Sequence, residues 1–246
     1  MKLLVLNPVS TEIWDEVTSN YVRRYLEPST SLEIRSLREG PEAIESEYDK
    51  ALAERYVVEE VMRAEREKFD AVVINCFDDP GLHASREVAS IPVFGIGETS
   101  LYYALMLGEG IAVISTGKYA SISYRKKARE LGIESRLVYS AGIELPVLEL
   151  KKDPRRVKEL LHVEIERAIN DHKAEVVVLG CGGFIGMAEE LSKSFKIPII
   201  DPTLVTVKVA EASVKMGYRH SKLFLFDRME TPPCSILSHA EKVAFG

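Results

Sequence analysis

The chain is short of several things, and each shortage removes a class of function. It carries three cysteines in 246 residues. The number is odd and the spacing fits no zinc site, so the cysteines read as free thiols of a cytoplasmic protein and not as a disulfide framework. No apolar run approaches the roughly 20 residues needed to cross a bilayer, so no membrane partner is expected. The N-terminus opens at once on a strand pattern, Lys2-Leu3-Leu4-Val5-Leu6, without the layout of a signal peptide. Lys and Arg together number 32 against 38 Asp and Glu, a net charge of -6, which leaves no basic footprint for nucleic acid. No complete G-x-G-x-x-G follows any apolar run, and Gly95-Ile96-Gly97 is too short for a dinucleotide loop, so NAD is discounted. Asp78-Asp79 has no companion cluster of His or carboxylates at useful spacing, so no metal is expected.

What is present is a repeated arrangement. Ala71-Val72-Val73-Ile74-Asn75-Cys76-Phe77 is a run of β-formers ending at a thiol, followed by the turn Asp78-Asp79-Pro80-Gly81. Glu175-Val176-Val177-Val178-Leu179-Gly180-Cys181-Gly182-Gly183 repeats it. A short strand pattern follows each, Ile91-Pro92-Val93-Phe94 and Ile197-Pro198-Ile199-Ile200. Upstream, Leu3 to Leu6 ends at Asn7-Pro8, and Ile111 to Ile114 ends at Ser115-Thr116-Gly117. Asn7 and Ser115 stand about 108 positions apart, and Cys76 and Cys181 about 105, a difference that loop variation covers in an internal duplication.

The remaining elements fill an alternating strand-helix order. Ser10 or Thr11 is expected to cap a first helix that ends by Pro28. Ser31 to Ser36 reads as a strand nearer a sheet edge. Gly40 to Asp49 reads as a loop, and Ala51 to Lys68 as an amphipathic helix with Leu52, Tyr56, Val58, Val61 and Met62 inward. Asp79 with Pro80 behind it reads as the start of a helix to Val88. In the second half, Glu134 to Tyr139 is a weak strand. Pro154 to His172 is a clear amphipathic helix, with Val157, Leu160, Leu161, Ile165, Ala168 and Ile169 on one face. This order predicts an α/β protein with parallel sheets and right-handed crossovers. The expected architecture is two pseudo-symmetric flavodoxin-like lobes, each a roughly four-stranded parallel sheet with flanking helices. Residues 1–98 form the first lobe, 99–207 the second, and 208–246 a segment returning to the first, with a strand at Leu223 to Phe226.

Both thiols then stand just past the C-terminal end of a buried strand, the edge where open α/β sheets bind ligands. A cysteine there can simply be a small buried apolar residue; two at matching positions of a duplicated half point to chemistry. Backbone amides and helix N-termini are expected to lower the thiol pKa and make a thiolate accessible. A thiolate and a thiol on opposite sides of a flat carbanion are the minimum equipment for racemisation, and no cofactor is needed when the substrate delocalises the charge. Neighbouring backbone N–H groups would hold the developing oxyanion. Asn7 as a turn residue, Ser115-Thr116 as a helix cap, His83 on the surface and Glu98 in a first helical turn are the plainer alternatives.

Several pieces resemble the hydantoin and allantoin racemases, a branch of the aspartate/glutamate racemase superfamily. They are Asn7-Pro8, Cys76-Phe77-Asp78-Asp79-Pro80-Gly81-Leu82, Pro92 to Glu98, Leu179-Gly180-Cys181-Gly182-Gly183, Gly217 to Lys222 and Pro232-Pro233. The resemblance implies a cofactor-independent isomerase, commonly a homo-oligomer, with a small-molecule substrate. It implies Cys76 and Cys181 as the acid/base pair. Asn7, Ser115 and Thr116 would contact the substrate ring, and the backbone around Phe77, Gly182 and Gly183 would hold its carbonyls. The chain departs from the branch at Val9, Asp78 and Gly182. Rival expectations are an amino-acid racemase, a dicarboxylate isomerase or decarboxylase, a non-catalytic binder on the same scaffold, and a redox dithiol protein.

Overall fold

The computed structural model describes residues 1–227; Pro232-Pro233 and Cys234 lie outside them. Strands β1 (Lys2–Asn7), β2 (Ser31–Ser36), β3 (Ala71–Ile74) and β4 (Val93–Gly95) form one sheet. Strands β5 (Ile111–Thr116), β6 (Leu137–Ile143), β7 (Val176–Leu179) and β8 (Ile199–Ile200) form another. The orders are β2-β1-β3-β4 and β6-β5-β7-β8, every pairing parallel. The two halves share one topology, as the repeat requires.

Both central strand pairs are buried on each face, which is why they read as unbroken apolar runs instead of alternating ones. On one face of the first sheet, Leu4, Leu6, Val72 and Ile74 pack against Val57, Val61 and Ala64 of α2 (Glu47–Arg66). On the other, Leu3, Val5, Ala71 and Val73 meet α1 (Asp15–Val22) through Tyr21 and Val22. In the second sheet Ala112, Ile114, Val177 and Leu179 pack against Val157, Leu161, Ile165 and Ala168 of the helix Pro154–Asn170, the apolar face expected from its spacing.

The halves also exchange helices. The helix Ile96–Ala104 follows β4, yet its Leu101 and Ala104 join Ile111 and Val113 of the second sheet. The helix Pro202–Met216 follows β8, yet its Val207 and Ala210 join Val5 and Val73 of the first. In chain order the remaining helices are α3 (Leu82–Val88), α4 (Ile96–Ala104), α5 (Ala120–Glu130), α6 (Pro154–Asn170), α7 (Ala188–Phe195) and α8 (Pro202–Met216). The segment after α8 runs back over the first lobe, where the His220 ring contacts the Val93 backbone and stacks at a tilt on Phe94.

Several local expectations are corrected. α1 starts at Asp15 without a side-chain cap; the Ser10 hydroxyl donates instead to Gly40 O, 30 residues on. α2 starts four residues earlier than expected, capped by Ser46. It buries Ala53, Val57, Val61 and Ala64, while Leu52 is exposed. Against a tightly packed sheet the small and β-branched residues set the inward face, not the largest ones. β6 lies three residues beyond Glu134, because Glu134–Arg136 is spent on a 3-10 turn. Leu223 to Phe226 is bend and turn with Leu223, Phe224 and Leu225 exposed, not a strand. Among the described residues no helix is long and apolar enough to cross a membrane.

Candidate active site

The parallel ladders run one residue past the strands they join. Asn75 N–H donates to Leu6 O at 2.8 Å, and Gly180 N–H to Ile114 O at 2.7 Å. Asn75 and Gly180 are therefore equivalent, and a cysteine follows each. Cys76 and Cys181 line one small chamber of about 60 Å³ between the sheet ends, together with Asn7, Phe77, Ser115, Thr116, Gly182 and Gly183. All eight residues expected at the site thus border one space. A larger groove of about 640 Å³ beside β6 and α6 contains neither thiol.

The lobes meet closely here. A Cβ on Gly182 would lie 3.1 Å from Asn75 Oδ1 and 3.2 Å from Asn75 O, so the second lobe's thiol loop is seated directly on the first lobe's strand end. The Cys181 sulfur accepts a backbone hydrogen bond from Gly183 N–H at 3.3 Å. The Asp78 backbone favours the thiolate at Cys76, and Thr116 favours it at Cys181.

These bonds do not make the thiols acidic, contrary to the expectation from helix ends. Burial pushes Cys76 well above its ordinary value, and the Asp78 carboxylate pushes it further. Burial also pushes Cys181 up to about 11, against the pull of Gly183 N–H. The reason is positional. α3 begins at Leu82, six residues beyond Cys76, and α7 at Ala188, seven beyond Cys181, whereas a helix field fades within its first turn. What remains is desolvation, which favours the neutral thiol.

Two of the expected ring contacts have their polar atoms engaged within the protein. Asn7 Nδ2 donates to Asp15 Oδ1 at 2.7 Å, and Asn7 Oδ1 accepts from Asn75 Nδ2 at 2.7 Å. The chain continues through Thr203 Oγ1, which donates to Asn75 Oδ1 at 2.6 Å, and through Ser36 Oγ, which donates to Asp15 Oδ1 at 2.8 Å. Ser115 Oγ donates to Gly180 O and shares a 3.0 Å hydrogen bond with Tyr124 OH. Both residues wall the chamber while holding the residue just before each cysteine, Asn7 through the Asn75 side chain and Ser115 through the Gly180 carbonyl. Phe77 has its ring buried and set edge-on to Tyr124, with ring centres 5.1 Å apart.

Asp79 corrects another expectation. It does not cap α3, which instead follows Gly81 at φ 67. Asp79 takes φ 50, a conformation Asp tolerates better than most residues. Its carboxylate reaches forward to α4, accepting Gly97 N–H at 2.9 Å and Glu98 N–H at 2.7 Å, and pairs with Lys127 of α5 at 2.6 Å. Gly97 must be small: a Cβ there would sit 2.0 Å from Phe77 O. So the loop after Cys76 is pinned to both lobes. Glu98, a candidate partner for a thiol, is bidentate with Arg86 at 2.7 and 3.0 Å, and His83 is exposed.

Sequence reasoning missed Asn75, Tyr124, Trp14, Ile44 and Val147, all on the chamber wall. Asn75 had a signal, an amide at the end of an otherwise apolar strand. Tyr124 had none, since a tyrosine at helical spacing reads equally as core. Ile44 and Val147 come from loops, one in each half, joined by the Val147 N–H bond to Glu45 Oε1 at 2.5 Å. Among the described residues, no group of three or more His, Cys, Asp or Glu has the geometry to hold a metal ion.

Comparison with known proteins agrees with this arrangement. The model of the Asp/Glu/Hydantoin racemase family matches residues 3–210. The chain is 35% identical to a hydantoin racemase of Pseudomonas sp. (strain NS671), over 91% of this chain and 90% of that protein. It is 34% identical to a hydantoin racemase of Paenarthrobacter aurescens, over 90% and 94%. Its fold is similar to that of allantoin racemase from Klebsiella pneumoniae, with a TM-score of 0.91, 28% identity and 96% of each chain covered. The chain belongs to the Asp/Glu/Hydantoin racemase family.

Proposed function

We propose that this isomerase racemises a hydantoin-type ring, a 5-substituted hydantoin or allantoin, by proton transfer between Cys76 and Cys181 without a cofactor. The observation that carries the reading is that equivalent strand ends of two duplicated lobes deliver one thiol each to a single chamber. The named relatives act within the same chemistry, and the acidic C–H of such a ring stands beside a carbonyl that can take up the charge.

The step balances without another reactant. One cysteine, as thiolate, removes the proton from C5, and the C–H electron pair passes into the adjacent carbonyl as an enolate. The opposite thiol returns a proton to the other face. The thiolate has then changed sides, ready for the opposite enantiomer. Backbone amides in the loops after each cysteine are the donors for the enolate oxygen. The raised thiol pKa values suit this work: a thiolate that is hard to form is a strong base, and a neutral thiol is the correct acid.

The test is deuterium incorporation at C5, with loss of optical rotation, for both enantiomers of 5-isopropylhydantoin in D₂O near neutral pH. Turnover above the buffer blank is expected, and inversion is lost in Cys76→Ala and in Cys181→Ala. Inversion retained in either variant would remove that thiol from the mechanism. Binding without exchange in the unaltered protein would reduce the chain to a binder.

A further inference from the structure

Asp78 follows Cys76 by two positions, and no described residue hydrogen-bonds or ion-pairs with its carboxylate, although Lys127 and Lys50 attract it from farther off. Among the described residues its side chain forms no hydrogen bond and no ion pair, although it is only partly exposed. Asp79 beside it takes the Lys127 ammonium, at 2.6 Å.

Two cavities meet at this residue. One is the thiol chamber. The other, of about 70 Å³, lies between the start of α2 and α5. Asp78 lines both and is the residue they have in common. The second cavity holds three cations, but two are spent: Lys127 on Asp79, and Lys126 on Glu47 at 3.0 Å. Lys50 lines it without forming an ion pair with Asp78. Val9, Trp14, Ile44 and Val147, an apolar part of the chamber wall, touch only the chamber. Asp78 is therefore an unpaired acceptor at the polar end of the chamber, where a substituent extending from the reacting carbon would leave it.

We propose that Asp78 is a specificity-determining residue that selects ring substituents carrying cationic or other N–H donors and rejects substituents carrying a carboxylate. An ionised carboxylate is an acceptor only, so it rewards a donor and repels an anion, and a poorly solvated position magnifies both effects. Selection by a repulsive element as well as an attractive one is a general route to specificity. This rests on the racemase reading, and its test separates the two.

Three probes differ only in the C5 substituent: isopropyl, 4-aminobutyl and carboxymethyl. The readout is the ratio of kcat/KM for the 4-aminobutyl over the carboxymethyl hydantoin, in the unaltered protein and in Asp78→Asn. A general change in thiol acidity cancels in that ratio. The ratio is expected to exceed about 10 and to fall at least about tenfold in the variant. An unchanged ratio, within about twofold, would overturn the proposal while isopropylhydantoin turnover still upheld the racemase reading. If isopropylhydantoin is not turned over, the racemase reading fails, and the same ratio taken from calorimetric dissociation constants decides the role of Asp78. Asp78→Ser, read in the same way, serves if the Asn variant does not fold.

Discussion

The two thiol loops occupy equivalent places and are built differently. After Cys181 the chain turns at once through Gly182–Phe184, a single 3-10 turn whose Gly183 N–H closes on the sulfur. After Cys76 it passes through Phe77, Asp78 and the left-handed Asp79, and is anchored by a buried carboxylate to α4 and to Lys127 of the other lobe. The second loop closes on its own sulfur and seats Gly182 against Asn75; the first is tied in addition by an ion pair to the other lobe. The charge around them differs too. Both thiols are raised by burial, but the carboxylate at Asp78 bears second among the causes on Cys76 and third on Cys181. Duplication thus supplied two equivalent positions, and the loops made their surroundings unequal, while burial keeps both thiols mainly neutral near pH 7.

The sharpest break of this comparison is to remove one thiol at a time. Cys76→Ala and Cys181→Ala should each lower racemisation by about a thousandfold or more, the scale expected when one of two proton-transfer groups is lost. Each should keep slow deuterium exchange without inversion, and for opposite enantiomers. The same enantiomer surviving in both would mean that the thiols do not face opposite sides of the ring.

Next is the brace that only the first loop has. Lys127→Met leaves the buried Asp79 carboxylate without its cation and should cost about 3–5 kcal/mol in chemical denaturation. Burial alone would pull Lys127 down, but the charge and hydrogen bond of Asp79 hold it above its ordinary value. It therefore stays charged across the neutral range, and the loss should be present throughout. A loss below about 1 kcal/mol would show that the first loop does not depend on the other lobe.

The cost of ionising a buried thiol is read from pH. With the Cys181 thiol near 11, its thiolate is a minor form at neutral pH and rises about tenfold per pH unit. kcat/KM should climb by about a hundredfold from pH 6 to 8. A flat profile over that range would mean that neither buried thiol is the titrating base.

The smallest effect separates the two supports behind the cysteines. Asn7→Ala strands the buried Asn75 Nδ2, although Asp15 Oδ1 keeps Ser36 Oγ, whereas Ser115→Ala leaves Gly180 O with Tyr124 OH still 3.3 Å away. Unsatisfied buried groups cost about 1–3 kcal/mol each, so Asn7→Ala should be the more destabilising by about 1 kcal/mol in thermal or urea unfolding. Equal losses would show that the two supports are interchangeable.

Much of the fold was legible because the signals are local. Val72-Val73-Ile74 and Val176-Val177-Val178-Leu179 announce buried parallel strands, and Pro154 to Asn170 shows its inward face by spacing alone. Where local rules failed, a distant partner had won. Asp79 has the chemistry of a cap, but the helix it caps is α4 and not α3. Ser10 is a cap by type, yet Gly40 takes its hydroxyl. Leu52 is apolar enough for a core that instead has room only for Ala53 and Val57. Ile44 and Val147 were invisible because loops carry no periodicity.

The sequence alone determined that the molecule has two like halves and that a thiol closes the central strand of each, since strand ends and their order are written in short apolar runs and the turns that stop them. The tertiary structure decided that those ends border one chamber of about 60 Å³, that Asn7 and Ser115 spend their polar atoms on groups within the protein, and that burial raises both thiols. Those outcomes are sums over groups far apart in the chain, because desolvation and hydrogen-bond competition depend on what surrounds an atom and not on what precedes it.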